Sequence, residues 1–250
     1  MTDSPTTSAY YFVSPVLGIA EPASAFSHLF AALVFTWLSV LLLRRTTGSS
    51  SKRRGMRVYC SSVVTLLIVS GMYHLFSRDL VIRDVLQRID HASIFIVIAA
   101  TFTPIHLALF ENAWRWAMLA VVWSLAGIGV LLSLLFLKSV PENVCLTFYL
   151  GLGWIGLVSG SLLFKRFGFA FILPLLLGAL AYTAGAVGDF LHYPVLINRV
   201  IGPHEVFHFA VIAGMSFHWK FISGFAHRTL AQCHETRAFL LVPQERRTAD

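Results

Sequence analysis

The sequence predicts an all-α fold: a bundle of seven transmembrane helices. Composition is the first reason. Of 250 residues, 57% are hydrophobic and only 12% are charged, too little polar surface for a soluble domain. Mean hydropathy is +0.74. The second reason is length: seven apolar segments, residues 23–43, 58–76, 91–109, 114–137, 146–164, 169–187 and 204–225, can each cross a hydrocarbon core about 30 Å thick. The third is that the links between them are short, which favours antiparallel neighbours in a single bundle.

Residues 1–22 form a polar N-terminal segment, 23–226 the transmembrane domain and 227–250 a polar tail. Met1 to Ser8 is polar and lacks a basic region, so no cleavable signal peptide is expected. Residues 46–55 read as a Ser-rich, basic linker between the first two helices. The Gly and Ser residues of 151–160 suit close helix packing in a membrane. Pro203 suits the first turn of the last helix, where no backbone N–H is required.

The formal charge of +7 arises from loops and tail, and no basic-aromatic module accompanies it. Nucleic acid is excluded as a partner; such charge reports orientation and contact with anionic lipid. Arg44, Arg45, Lys52, Arg53, Arg54 and Arg57 follow the first helix, and Arg228, Arg237, Arg246 and Arg247 lie in the tail, a bias that favours an outer N-terminus. Cys60, Cys145 and Cys233 are scattered, so neither a disulfide framework nor a thiolate metal site is implied.

The candidate chemistry lies in five residues. His204 and His208 in the stretch Gly202-Pro203-His204-Glu205-Val206-Phe207-His208 are four apart, which puts both imidazoles on one helical face. Alternating helices bring the end of the second, the start of the third and the start of the seventh to one side. His74 and Asp90 therefore share a depth with the pair. Three imidazoles with an open fourth position form the pattern of a catalytic zinc site, with Asp90 able to bind the metal or to take a proton from its water. Ser70, one turn before His74, faces the same way and can bond that water or a developing oxyanion. Each residue has a bland alternative: Ser70 bonding its own backbone, Asp90 capping a helix, His74 sitting at the interface. His91 reads as a bystander. Intramembrane ionisable groups at a single depth favour the metal site.

Several stretches resemble the progestin and adiponectin receptor superfamily, in particular its hemolysin III-type microbial branch. They are Glu21-Pro22-Ala23-Ser24-Ala25-Phe26-Ser27-His28, Ser70-x-x-x-His74, Asp90-His91-Ala92-Ser93-Ile94 with Ala100-Thr101-Phe102-Thr103-Pro104, and His204-x-x-x-His208. In the first, Ser24 and Ser27 stand where the family has Asn and Thr. The resemblance covers most of residues 21–221. It implies seven helices and a zinc held by His74, His204 and His208, with Asp90 and Ser70 around the water. It also implies residence in a bacterial plasma (inner) membrane and relation to alkaline ceramidases, which cleave a lipid amide. Receptor members of the superfamily place the N-terminus in the cytoplasm, against the charge bias, so orientation stays open.

The leading functional expectation is a zinc-dependent hydrolase of a membrane lipid amide or ester. The second is a zinc-stabilised lipid sensor or receptor without catalysis. A third, an intramembrane zinc protease, follows from His204-Glu205-x-x-His208, which fits H-E-x-x-H with Glu205 as base. A helical residue next to His204 lies about 100° away from it, so Glu205 is expected to cap the helix start instead. A secreted pore-forming toxin fits seven apolar spans poorly.

Overall fold

The computed structural model describes residues 13–228, with the side chains of 112 and 142 left out. Cys233, most of the expected tail and the first half of the N-terminal segment lie outside these residues. Eight helices follow one another: α1 (Pro22–Arg45), α2 (Ser50–Leu75), α3 (Val81–Leu109), α4 (Asn112–Phe136), α5 (Glu142–Trp154), α6 (Gly156–Phe167), α7 (Phe169–Phe190) and α8 (Pro203–Ala226). Among the described residues no strand forms; only the isolated bridges Val16–Ile19 and Ile197–Ile201 occur.

Among the described residues six segments are long and apolar enough to cross a membrane: α1, α2, α3, Ala113–Phe136, Asn143–Phe167 and α7. The chain is an integral membrane protein. Segment Asn143–Phe167 joins α5 and α6 across a break at Ile155. The last helix, α8, spans 24 residues but is not among the six. His204, Glu205, His208, His218 and Lys220 dilute its hydropathy, and two of them are candidate site residues.

Two helices begin earlier than the apolar pattern suggested. The expected linker 46–55 is mostly helical, because Ser49 accepts a hydrogen bond from the Lys52 N–H at 3.2 Å and starts α2 there. Helix α3 begins at Val81, so Asp90 sits well inside it and does not open it. Arg83, Asp84, Gln87 and Arg88 hide this stretch from a hydropathy reading, although none of them breaks a helix.

Consecutive helices α1 to α4 pack side by side, as do α7 and α8, and α8 returns to α1. The most buried of the six spans is α3. One core joins Phe35 of α1, Met56, Tyr59, Val63 and Leu67 of α2, and Trp219 and Ile222 of α8. A second joins Phe95, Ala99 and Phe102 of α3 to Val122 and Ala126 of α4 and Leu152 of α5. Lipid tails are as apolar as these side chains, so the driving force is close van der Waals fit. At Gly55 the fit against the backbone of α3 is close: an added Cβ would stand 3.1 Å from Pro104 Cα and 3.1 Å from Leu107 Cδ1.

Gly55→Leu is therefore expected to destabilise the protein by about 1–3 kcal/mol through overpacking. Gly224→Ala, where an added Cβ meets nothing within 4 Å, should be neutral or slightly stabilising. Thermal unfolding in detergent, with both variants beside the wild type, checks the pair.

Candidate metal centre

The threading sets the start of α1, the end of α2, the end of α7 and the start of α8 against one another. His74 is the penultimate residue of α2, and His204 and His208 occupy the first two turns of α8. The ligating nitrogens of His74, His204 and His208 all lie within 4.8 Å of one another. Ring centroids are 5.2 Å apart for His74 and His204, 4.4 Å for His74 and His208, and 4.6 Å for His204 and His208. His74 and His208 are buried and His204 half-buried.

Each imidazole is held from behind through Nδ1. His74 Nδ1 meets the Glu21 carboxylate. His204 Nδ1 lies 3.1 Å from Asp189 Oδ2, and His208 Nδ1 lies 3.4 Å from His28 Nε2. A carboxylate only accepts, so it fixes the proton on Nδ1 of His74 and His204 and leaves the Nε2 lone pair for the cluster. There, His204 Nε2 and His208 Nε2 stand 3.0 Å apart, and His74 Nε2 is buried with no hydrogen-bond partner. Tetrahedral Zn–N bonds of about 2.0–2.1 Å put donor atoms roughly 3.3 Å apart, close to the spacing of the α8 pair. The donor set thus fits a three-nitrogen metal site with carboxylate-backed histidines.

Glu21 carries more than His74. Its Oε1 accepts from Arg78 at 2.9 Å and from Arg83 at 2.8 Å, and its backbone N–H bonds His74 O at 3.1 Å. Burial alone would raise the pKa of this carboxyl. The His74 hydrogen bond and the Arg83 charge reverse that and hold it well below the usual carboxylate range. Arg83 also donates to Phe76 O at 2.6 Å and lies over the Tyr73 ring.

Asp90 and Ser70 do not belong to the ligand cluster. Both are buried, and Ser70 lies beside Asp90. Both line a cavity of about 800 Å³ together with His28, His204 and His208. The structure therefore brings all five candidate residues to one end of the molecule: three as a donor cluster, two beside it on the cavity wall. Glu205 is occupied elsewhere. Its Oε2 accepts from Gly202 N–H at 3.0 Å, closing the start of α8, and its Oε1 accepts from Ser24 of α1 at 3.2 Å. It is not among the residues lining the cavity, which removes it from the position a protease base would need. His91 donates locally, from Nδ1 to Gln87 O at 2.9 Å.

Three supporting residues had no role in the sequence reading: Glu21, His28 and Asp189. Glu21 and His28 bound the opening motif, so their positions were visible but their function was not. Asp189 precedes a long irregular link to α8 and gave no periodic signal.

An all-helical integral membrane protein with a buried trihistidine cluster open to an apolar cavity is the class that fold and site define. The haemolysin-III-related family matches residues 19–219, and the chain belongs to that family. It is 27% identical over 197 residues to Hemolysin-3 of Bacillus cereus, covering 78% of this chain and 86% of that protein. It is 26% identical over 184 residues to the Hemolysin-3 homolog of Bacillus subtilis (strain 168), covering 73% of this chain and 80% of that one.

Removing Glu21 should unmake this end of the molecule. Glu21→Ala strands the buried Arg83 guanidinium, and loss of one partner of a buried pair costs about 3–5 kcal/mol. The Arg78 side chain is 44% exposed, so Arg78→Ala should cost less than about 1 kcal/mol. Melting of the two variants in the same detergent measures the difference.

Proposed function

We propose that this protein is a zinc-dependent hydrolase of a membrane lipid amide or ester. The observation that carries the reading is the meeting of three carboxylate- or imidazole-backed histidines with the Ser70–Asp90 pair at one end of a single apolar cavity. His74, His204 and His208 would hold the metal. Zinc, when bound, supplies Lewis acidity that activates water and polarises a carbonyl near neutral pH.

The chain's own groups do the rest. Asp90 takes a proton at its carboxylate and returns it to the leaving group. Ser70, beside it on the same cavity wall, orients the carboxylate toward the cavity. The walls, including Ile94, Val97, Ile98, Leu146, Leu150 and Ile172, bind an acyl chain and keep bulk water from the reacting carbonyl. In this reading α8 is the seventh span, its polar residues turned inward as intramembrane ionisable groups must be. The protein resides in a bacterial plasma (inner) membrane, where helices rather than closed barrels are the spanning structures. Its ligand is a membrane lipid that enters sideways.

Purified protein is expected to carry about one zinc per chain, and His208→Ala to carry little or none; metal analysis decides this. On a panel of fluorogenic ceramides and glycerolipid esters, zinc-loaded Asp90→Asn should lose on the order of 10²-fold or more in rate, the scale of general acid–base catalysis. Glu205→Gln should retain most activity. A dead, zinc-loaded Glu205→Gln beside an active Asp90→Asn would support the protease chemistry instead. Zinc without turnover of any lipid would support the receptor.

A further inference from the structure

We propose that Ser159 is a second, metal-independent nucleophile, with His106 as its general base, acting on the ester carbonyl of a glycerolipid at the opposite end of the cavity. His106 lies 16 residues beyond Asp90 on α3, roughly 24 Å along the helix axis. Both His106 and Ser159 line the cavity and both are buried, yet neither takes part in the histidine cluster.

The hydrogen bonds fix where the protons are. His106 Nδ1 is 3.0 Å from Phe102 O, and a carbonyl can only accept. Nδ1 therefore carries the N–H and Nε2 the lone pair. Ser159 Oγ lies 2.9 Å from that Nε2, so the hydroxyl donates its proton to the imidazole. This is the arrangement of a serine activated by a base whose other nitrogen is tethered. The ring is clamped between Phe102 and Phe110, stacked at interplanar angles of 17° and 16°. Most hydroxyls in these helices behave otherwise and bond their own backbone: Thr36 to Ala32, Thr101 to Val97, Thr183 to Ala179, as expected in a membrane. Ser159 gives its proton to a base across a helix interface.

Access and depth also fit. Gly156 and Gly160 flank Ser159 on the cavity wall, and an added Cβ at Gly160 would meet nothing within 4 Å, so there is room beside the hydroxyl. Leu157 and Phe164 line the same cavity while remaining 56% and 47% exposed, so this wall opens sideways to lipid. His106 is three residues from the end of α3 at Leu109, whose carbonyl accepts from Arg166 at 3.1 Å. That guanidinium marks the edge of the hydrocarbon, the depth at which the ester linkages of a bilayer lie.

In the first half-reaction the Ser159 Oγ–acyl carbon bond forms and the bond from that carbon to the glycerol oxygen breaks. The proton leaves Oγ for His106 Nε2 and then passes to the departing glycerol oxygen. Water reverses the sequence, giving a free fatty acid and regenerating the serine. The net change is ester plus water to acid plus alcohol.

The test is a fluorophosphonate probe on the full-length protein in detergent, with the adduct mapped by mass spectrometry. Displacement of fluoride should leave phosphorus on Ser159 Oγ. Ser159→Ala should take up no label there, and His106→Gln should label at least about 10²-fold more slowly, as expected when a general base is removed. Mapping the wild-type adduct does not depend on whether either variant folds. Because label on one serine is counted, and not zinc content or turnover, the result is separate from the fate of the metal-site reading. Absence of an adduct on Ser159 in wild type, or His106→Gln labelling at the wild-type rate, would overturn the proposal.

Discussion

The histidine end of this protein depends on one carboxylate. Glu21, at the start of α1, meets His74 at the end of α2, Arg78 in the link that follows and Arg83 in the first turn of α3. Three chain segments are thereby fixed at one depth by a single side chain. The electrostatics are demanding: Arg83 and Glu21 are both buried, and a buried charge without a partner costs several kcal/mol. The same contact decides the chemistry of His74. With its proton held on Nδ1 by Glu21, only Nε2 is left to face His204 and His208, and that atom has no other partner. A structural ion pair and the orientation of a metal-competent ring are one interaction.

The same rule runs through the bundle. His204 is backed by Asp189, His208 by His28, His91 by Gln87 O and His106 by Phe102 O. An imidazole inside a membrane is retained only with a defined partner, and the type of partner separates two kinds of site. Carboxylates stand behind His74 and His204, raising the basicity of the nitrogens that converge. A neutral backbone carbonyl stands behind His106, which leaves its far nitrogen facing a hydroxyl.

Much of this was legible in the sequence, for reasons that differ residue by residue. The four-residue spacing of His204 and His208 maps directly onto a helix face, and Ser70 and His74 follow the same rule. Counting alternations brought His74 and Asp90 to the same depth as the α8 pair. What lay beyond reach were contacts between segments with no fixed spacing: Glu21 to His74, Asp189 to His204, Glu205 to Ser24. Local capping also outweighed hydropathy. Ser49 starts α2 within a stretch that reads as a basic linker, and charged residues conceal the first turns of α3. The break at Ile155 that divides α5 from α6 was visible only as a run of Gly and Ser, which read as packing. In α8 the ionisable residues that give the helix its chemistry also lower the hydropathy by which spans are recognised.

The two halves of the bundle are built differently. Helices α1, α2, α3 and α8 interlock through Phe35, Tyr59 and Trp219 in one core, and Gly55 lies directly on the backbone of α3. This half carries His74, His204, His208, Ser70 and Asp90, and rigid placement of this kind keeps donor atoms in register. Helices α5 and α6 are short, meet at a break, and present Leu157 and Phe164 both to the cavity and to the outside. Gly153, Gly156 and Gly160 line the cavity along this interrupted stretch. The close-packed half holds the histidine cluster, and the short, broken pair of helices forms the part of the cavity wall that also faces outward.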